Sequence, residues 1–144
     1  MGAVERREVD AGLLIHEGQL TYRQSGLHKV LDLGEWWHGR TALPLPLGGN
    51  GIRRDLGPVR IREISRLIKE SIRYALDHRK DALDHALKYA RGLNPQEADH
   101  FVSMYVNQRT LDYGEDGRRA VNLLLEEAHA GGLIPDHIRV EFVD

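Results

Sequence analysis

The segment that most constrains this chain is TALPLPLGGNGIRRDLGP, at positions 41–58. It contains three prolines and four glycines, a density that neither a regular helix nor a central strand tolerates. We therefore predict an extended crossing segment over 44–57 that ends in a turn. This segment would separate an N-terminal part, 1–43, from a C-terminal part, 58–144.

The N-terminal part has the pattern of a short α/β region. Positions 1–10 are typical of the end of a helix, and the uninterrupted apolar run at 11–15 favours a parallel strand covered on both faces. We predict a second short strand over 29–33 and a helical or turn element that begins near Gly34. Few residues precede the first strand, so its sheet partners must come from later in the chain or from elsewhere.

The C-terminal part is predicted to be mostly helical. Pro58 suits the first turn of a helix. Apolar residues then recur at helical spacing and form one stripe. These residues are Ile61, Ile64, Leu67, Ile68, Ile72 and Ala75.

Three further helices and a strand are expected after this one. The second helix would cover about 80–90, with Gly92 as its C-cap. Asn94 and Glu97 have the spacing of a capping box that opens a helix over 96–107. The last helix would run over 116–130 and stop at the two glycines that follow. Alternation of apolar and charged residues predicts a half-buried closing strand over 138–142.

Composition limits the classes of partner. The net charge is −2 and the pI is about 6.4, with acids and bases interleaved, so there is no basic face for nucleic acid. The absence of cysteine excludes disulfides and thiolate metal sites and fits a reducing compartment. No apolar run is long enough to span a membrane, and the N-terminus lacks the apolar centre of a signal peptide. We expect a cytoplasmic protein that binds a small molecule, with no nucleic-acid or membrane partner.

His16 is the strongest candidate for catalysis. It follows the predicted strand at 11–15, and ligands of open α/β sheets gather outside the carboxyl ends of strands. An imidazole at that position can exchange a proton near neutral pH. Glu17 could orient the ring, and Gly18 would leave room for a ligand. The pattern alone nevertheless favours a loop histidine satisfied by a backbone carbonyl.

For the other candidate residues, a structural role is favoured over a catalytic or binding role. His78, Asp81 and His85 would share one face of a continuous helix and could bind a metal, but the mixed charge around them favours a solvated face, and we predict no metal site. The glycines of PLGGNG lack the lysine and hydroxyl of a phosphate loop, so a turn with positive φ is favoured.

For two more groups of residues, the sequence allows either a ligand-binding role or a structural one. Trp36 and Trp37 could line a pocket, although one packing in the core while the other covers its rim is favoured. Asn107, Thr110 and Asp112 are interpreted as cap and turn residues between two helices rather than as binding groups.

Several long blocks of this sequence resemble the 1,4-dihydroxy-6-naphthoate synthase family of the futalosine route to menaquinone. The resemblance spans essentially the whole chain. The blocks are DAGLLIHEGQLTY, GLHKVLDLGEWW, LPLPLGGNGIRRDLG, SIRYALDHR, MYVNQRTLDYGEDGRRAV and GLIP.

The resemblance implies an α/β fold of the two-lobed, type II periplasmic-binding-protein kind. This chain would be truncated to the C-terminal half of that fold and be helix-rich after residue 57. The region 1–43 would be the remainder of the smaller lobe and carry the catalytic loop. The segment 44–57 would cross between the lobes, and 58–144 would be the helical part and closing strand of the larger lobe.

The resemblance also implies the chemistry of a carbon–carbon lyase. The family fragments cyclic dehypoxanthinyl futalosine to 1,4-dihydroxy-6-naphthoate and a three-carbon product, with no metal or organic cofactor. Its proton acceptor is the histidine of the IHEGQ block, which corresponds to His16. A neutral imidazole suits this role, because the cleavage requires removal of a proton while an enol or an aromatising ring holds the departing electrons.

This chain departs from the family in length, because the N-terminal half has no counterpart here. A truncated reading frame, a split gene or an excised fragment would each give this pattern. The missing half supplies the loops that hold the substrate's polar groups, so the substrate-binding residues are unknown, and the polar loop residues Tyr22, Asn50 and Asn107 stay unassigned. We expect a chain that is inactive alone, exposes apolar surface and associates with the missing half or with itself.

Two alternatives remain. The chain could be a non-catalytic ligand-binding module or an inactive fragment of the same fold, although a pure receptor has no chemical reason to place His16 and Glu17 in its cleft. It could also resemble chorismate dehydratase, the sister enzyme of the same route and fold, whose family lacks the IHEGQ block.

Overall fold

Helices supply the regular structure in the part of the chain that the structure describes. The computed structural model describes residues 1–15, 18–89 and 94–143. Its contacts divide the chain into two compact units, Met1–Asp32 and Leu33–Asp144. None of the helices within the described ranges is long and apolar enough to cross a membrane.

The first unit contains short helices joined by extended backbone. Helix α1 covers Gly2–Glu5, α2 covers Gly18–Thr21, and a 3₁₀ turn over Tyr22–Ser25 continues α2. Gly26 closes this turn with a φ of 71°. Such a left-handed conformation strains most other residues, so this glycine allows the chain to leave the turn toward Leu27.

The second unit contains the longer helices. Helix α4 packs against α5 and α7, and α5 packs against α6. The helices are α3 Leu33–Thr41, α4 Gly57–Asp77, α5 Arg79–Leu87, α6 Pro95–Tyr105, α7 Gln108–Leu111 and α8 Gly114–Ala130, with a 3₁₀ turn at Arg54–Leu56.

Trp37 anchors α3 to the segment that follows it. Its side chain is 2% exposed, and its indole Nε1 donates to the carbonyl oxygen of Pro44 at 3.0 Å. The Thr41 hydroxyl donates to the carbonyl of Trp37 at 2.8 Å and accepts from the amide of Leu43 at 3.1 Å. These bonds satisfy groups that the end of a helix would otherwise leave without partners.

The sequence correctly predicted α4, α5, α6 and α8, but it did not predict the short α7. Pro58 lies in the first turn of α4, and Gly57 takes a φ of 78° at the point where the chain enters it. The apolar stripe is half-buried at four positions, while Leu67 and Ile68 are exposed. Helix α4 ends before His78, and α5 then runs over much of the predicted 80–90 range.

A capping box opens α6, as predicted. The Asn94 side chain accepts from the Glu97 amide at 2.9 Å, and the Asn94 amide donates to the Glu97 carboxylate at 3.1 Å. Arg79 joins α5 to this helix by donating to the Asp99 carboxylate at 2.8 Å. The predicted last helix is α8, which ends before Gly131 and Gly132. The predicted cap Gly92 lies outside the described residues.

The three predicted strands are wrong for the described chain. Segments 11–15 and 138–142 carry no strand pairing, and 29–33 leads directly into α3. A strand forms only where a neighbour accepts and donates its backbone hydrogen bonds, and periodicity does not tell whether that neighbour is present. The predicted α/β character and the two-lobed, type II periplasmic-binding-protein-like fold therefore stay predictions.

Residues 44–53 contain no helix or strand and lead into the 3₁₀ turn at Arg54–Leu56. The prediction of positive φ at the glycines of PLGGNG is wrong, because positive φ occurs at Gly57 and not at Gly48, Gly49 or Gly51. A Cβ added at Gly49 would lie 3.2 Å from the Tyr113 hydroxyl, so this loop packs against the Tyr113 side chain and leaves little room for a ligand at Gly49. The division into 1–43, 44–57 and 58–144 stays a prediction.

Candidate functional site

His16 and Glu17, the predicted base and its neighbour, lie outside the described residues. The backbone on both sides is described. Extended, largely exposed residues 11–15 precede the pair, and α2 begins at Gly18 directly after it. The pair therefore joins an apolar segment to a short helix in the first unit.

The residues that follow this helix line a hollow of about 500 Å³ with both polar and apolar walls. The hollow is lined by residues of the 3₁₀ turn and of the extended segment after it, namely Tyr22, Arg23, Gly26, Leu27, His28 and Lys29. Arg23 Nε donates to the Tyr22 hydroxyl at 3.2 Å, and Lys29 Nζ pairs with Asp32 at 3.2 Å. The hollow offers donors and positive charge, which suit an oxygen-rich ligand.

The second unit contains an apolar groove between α3 and α8, with a volume of about 290 Å³. Trp36 and Trp37 line it from α3, and Leu124 and Ala128 line it from α8. Trp36 is 48% exposed whereas Trp37 is buried. This confirms the interpretation in which one tryptophan packs in the core and the other covers its rim.

Arg40 crosses this groove and contacts both of its walls. Its guanidinium lies 4.9 Å from the ring centre of Trp36 and 5.3 Å from that of Trp37. Its Nη2 also pairs with the Glu127 carboxylate on α8. The mouth of the groove therefore combines an indole face, a cation and an anion.

The groove residues Arg40 and Glu127 were not among the predicted candidates. The spacing of Trp36 and Arg40, four residues apart on a helix, is a signal from which their contact could have been predicted. The pairing of Arg40 with Glu127 leaves no such signal, because the two residues are 87 positions apart.

His78, Asp81 and His85 do not form a metal site. The helix is interrupted at His78, whose ring stacks on Tyr74 with centroids 4.0 Å apart. His85 contacts the ring of Tyr89 instead, at 5.5 Å. All three predicted residues are exposed, and no cluster of three metal-binding side chains occurs within the described ranges. The solvated-face interpretation is confirmed.

Asn107, Thr110 and Asp112 are cap and turn residues, as predicted. The Asn107 side chain accepts from the Arg109 amide at 2.9 Å, and the Asn107 amide donates to the Thr110 hydroxyl at 3.0 Å. Asp112 accepts from the Gly114 amide at 2.9 Å. That backbone hydrogen bond lowers the pKa of the Asp112 carboxyl, and the charges of Arg118 and Lys69 act in the same direction.

Comparison with known proteins gives a consistent result over nearly all of the chain. The model of a family described as "Menaquinone biosynthesis" matches residues 1–130. A protein of Thermus thermophilus named 1,4-dihydroxy-6-naphtoate synthase is 46% identical over 140 residues, which cover 97% of this chain and 52% of that protein. A protein of the same name from Streptomyces coelicolor is 42% identical over 135 residues, with 94% of this chain and 48% of that protein covered.

A solved structure shares the fold as well as the sequence. The crystal structure of a protein from Archaeoglobus fulgidus superposes with a TM-score of 0.87 at 49% identity, covering 92% of this chain and 50% of that one. This chain thus spans about half the length of the curated relatives and of the solved structure that it matches.

Proposed function

Because the chain belongs to the menaquinone biosynthesis family, we propose that it forms part of a carbon–carbon lyase that converts cyclic dehypoxanthinyl futalosine to 1,4-dihydroxy-6-naphthoate. The observation that carries this proposal is the agreement of two synthases from different bacteria, each similar to this chain over nearly its whole length.

His16 acts as the proton acceptor in this proposal. In a cleavage that starts at a hydroxyl, the imidazole takes the O–H proton, and that oxygen's electron pair closes a carbonyl as the adjacent carbon–carbon bond breaks. The electrons of the broken bond form the carbon–carbon double bond of an enolate, as an adjacent carbonyl oxygen takes up the negative charge. That oxygen then takes the proton back from the imidazolium, and the resulting enol becomes part of the aromatic ring. Formation of the ring favours the products, so the protein mainly has to orient the substrate and exclude water.

In this proposal the substrate-binding site extends beyond His16. The hollow beside Arg23 and Lys29 lies in the same unit as His16, and its donors suit a substrate rich in hydroxyl and carbonyl oxygens. Because the chain spans about half the length of the relatives, the remaining contacts would come from residues equivalent to their other half.

Substitution of His16 tests this function. The assay follows release of 1,4-dihydroxy-6-naphthoate by the chain combined with a polypeptide that spans the other half of the relatives. We expect His16→Ala and His16→Gln each to lower kcat by about 10²–10⁴-fold, the usual contribution of a general base. The control His78→Ala changes an exposed histidine between α4 and α5 and should keep full activity.

The pH profile provides a second readout in the same assay. The rate should rise with pH as the imidazole loses its proton, and this rise should be absent in His16→Gln. Full activity in both His16 variants would contradict the assignment of the base.

A further inference from the structure

The groove between α3 and α8 contains both tryptophans of the chain. Its walls are almost entirely hydrocarbon, and Leu133, which lines it after the end of α8, is 82% exposed. The lining residues belong to α3, the segment after it, α8 and the loop after α8, so the whole groove lies within the second unit.

The shape and chemistry of this groove suit a flat aromatic molecule. Its volume of about 290 Å³ is at the lower end of the range for small-molecule sites, and it exceeds that of a two-ring compound. Trp36 has a half-exposed indole on which a flat ring can stack, and stacked or offset arrangements are the favoured geometries of aromatic pairs.

The charged groups at the groove suit an acid. The Arg40 guanidinium lies against both indole rings, so a ligand stacked on Trp36 would bring a ring substituent within reach of its N–H groups. A planar guanidinium binds carboxylates through two parallel hydrogen bonds. Arg40 already forms an ion pair with the Glu127 carboxylate, so a ligand's carboxylate would have to compete with Glu127 for the guanidinium.

We propose that this groove binds a bicyclic aromatic carboxylic acid, stacked on Trp36 with its carboxylate directed to Arg40. This inference rests on the proposed function, because the product assigned there belongs to this chemical class. It adds to that function a product-binding site formed by residues of the second unit. The Glu127 carboxylate competes for Arg40 and so limits the affinity of this site.

Equilibrium dialysis with 2-naphthoate and with 1,4-dihydroxy-6-naphthoate tests the proposal. Tryptophan emission gives a parallel readout, since the only two tryptophans of the chain line this groove. We expect Trp36→Leu to weaken binding of both acids by about tenfold, the size of a lost aromatic stack. The control Tyr89→Leu removes an exposed aromatic residue that does not line the groove and should leave binding unchanged.

Glu127→Gln provides a variant that should improve binding. Removing the competing carboxylate should tighten binding of 2-naphthoate by about fivefold, as expected for loss of an exposed ion pair. The neutral analogue 2-naphthalenemethanol should bind equally to both proteins. Asp55→Asn, which breaks the exposed pair between Arg53 and Asp55, is the matched control.

Circular dichroism of each variant verifies that the helices are kept. Equal affinity of 2-naphthoate for the unaltered chain and for Trp36→Leu would overturn the proposal, and so would tighter binding of the neutral alcohol to Glu127→Gln. Binding is measured without turnover. If the acid binds as described but the chain combined with a polypeptide that spans the other half of the relatives shows no lyase activity, the proposed function is contradicted and this site is supported.

Discussion

At the scale of single residues, the start of α6 depends on two reciprocal hydrogen bonds between Asn94 and Glu97. We expect Asn94→Ala to lower the free energy of unfolding by about 1 kcal/mol, because the first turn would then lose the acceptor for the Glu97 amide. Urea unfolding followed by circular dichroism measures this change.

The control for the cap is Gln96→Ala, an exposed position in the same turn. It should change the free energy of unfolding by no more than about 0.5 kcal/mol, as surface substitutions usually do. Equal losses in the two variants would mean that the capping box does not stabilise this helix.

Asp116 gives the chain a specific sensitivity to acid. Arg109 donates to both of its carboxylate oxygens, at 3.0 and 2.8 Å. This hydrogen bonding, together with the Gly117 amide and the Arg109 charge, lowers the pKa of Asp116 from its ordinary value of 3.8. A carboxyl whose pKa is lowered by folding stabilises the folded state above its unfolded pKa, and this contribution is lost as the pH falls through the folded pKa.

Asp116→Asn should therefore lose stability at neutral pH and show a weaker loss of stability in acid than the unaltered chain. Urea midpoints measured at pH values on both sides of 3.8 test this. Glu115→Gln removes a carboxylate from the same turn and serves as the control. An acid profile in Asp116→Asn that parallels that of the unaltered chain would contradict the role of this pair.

At the scale of elements, α3 is held by one indole. Trp37→Phe should lower the free energy of unfolding of the second unit by about 1–3 kcal/mol, because it removes the bond to the Pro44 carbonyl and leaves space around the smaller ring. Thermal unfolding followed by circular dichroism measures the change. The same replacement at the half-exposed Trp36 should cost less, and a larger cost there would contradict this account of the core.

The sequence predicted the helices better than the strands, for a physical reason. Helical hydrogen bonds close within the segment, so caps such as Asn94 and stops such as Gly131 act locally and can be recognised from the order of residues. Strand bonds require a neighbour, and the apolar segments 11–15 and 138–142 have no ladder partner in the described chain. Periodicity alone could not provide that information.

In the candidate sites, too, local contacts could be predicted from the sequence and contacts between distant segments could not. The cap roles of Asn107 and Thr110 could be predicted because these residues act on their own turn. The different exposures of Trp36 and Trp37 could be anticipated from the helix they share. The pairing of Arg40 with Glu127 depends on how two distant helices meet, which no local pattern encodes.

At the scale of the whole molecule, many large apolar side chains are exposed in both units. In the first unit Leu13 is 72% exposed and Val30 is 90% exposed, both in extended segments. In the second unit Val59 is 70% exposed and Leu47 is 63% exposed. Exposed apolar side chains and segments without ladder partners are typical of faces that another part of a protein covers.

We expect the isolated chain to self-associate as its concentration rises and to bind a hydrophobic dye. In the presence of a polypeptide equivalent to the other half of the relatives, it should instead form a discrete complex with one copy of each. Sedimentation velocity of the chain alone and of the mixture measures this difference. A monomer that binds no dye and ignores the added polypeptide would contradict the prediction.

The most direct test of the central claim is turnover of cyclic dehypoxanthinyl futalosine by separately purified halves. The account predicts no release of 1,4-dihydroxy-6-naphthoate by either half alone, release by the mixture, and loss of that release when this chain carries His16→Ala. Turnover by this chain alone would contradict the claim that its site is incomplete. Release by a mixture containing His16→Ala at the unaltered rate would contradict the claim that His16 is the base.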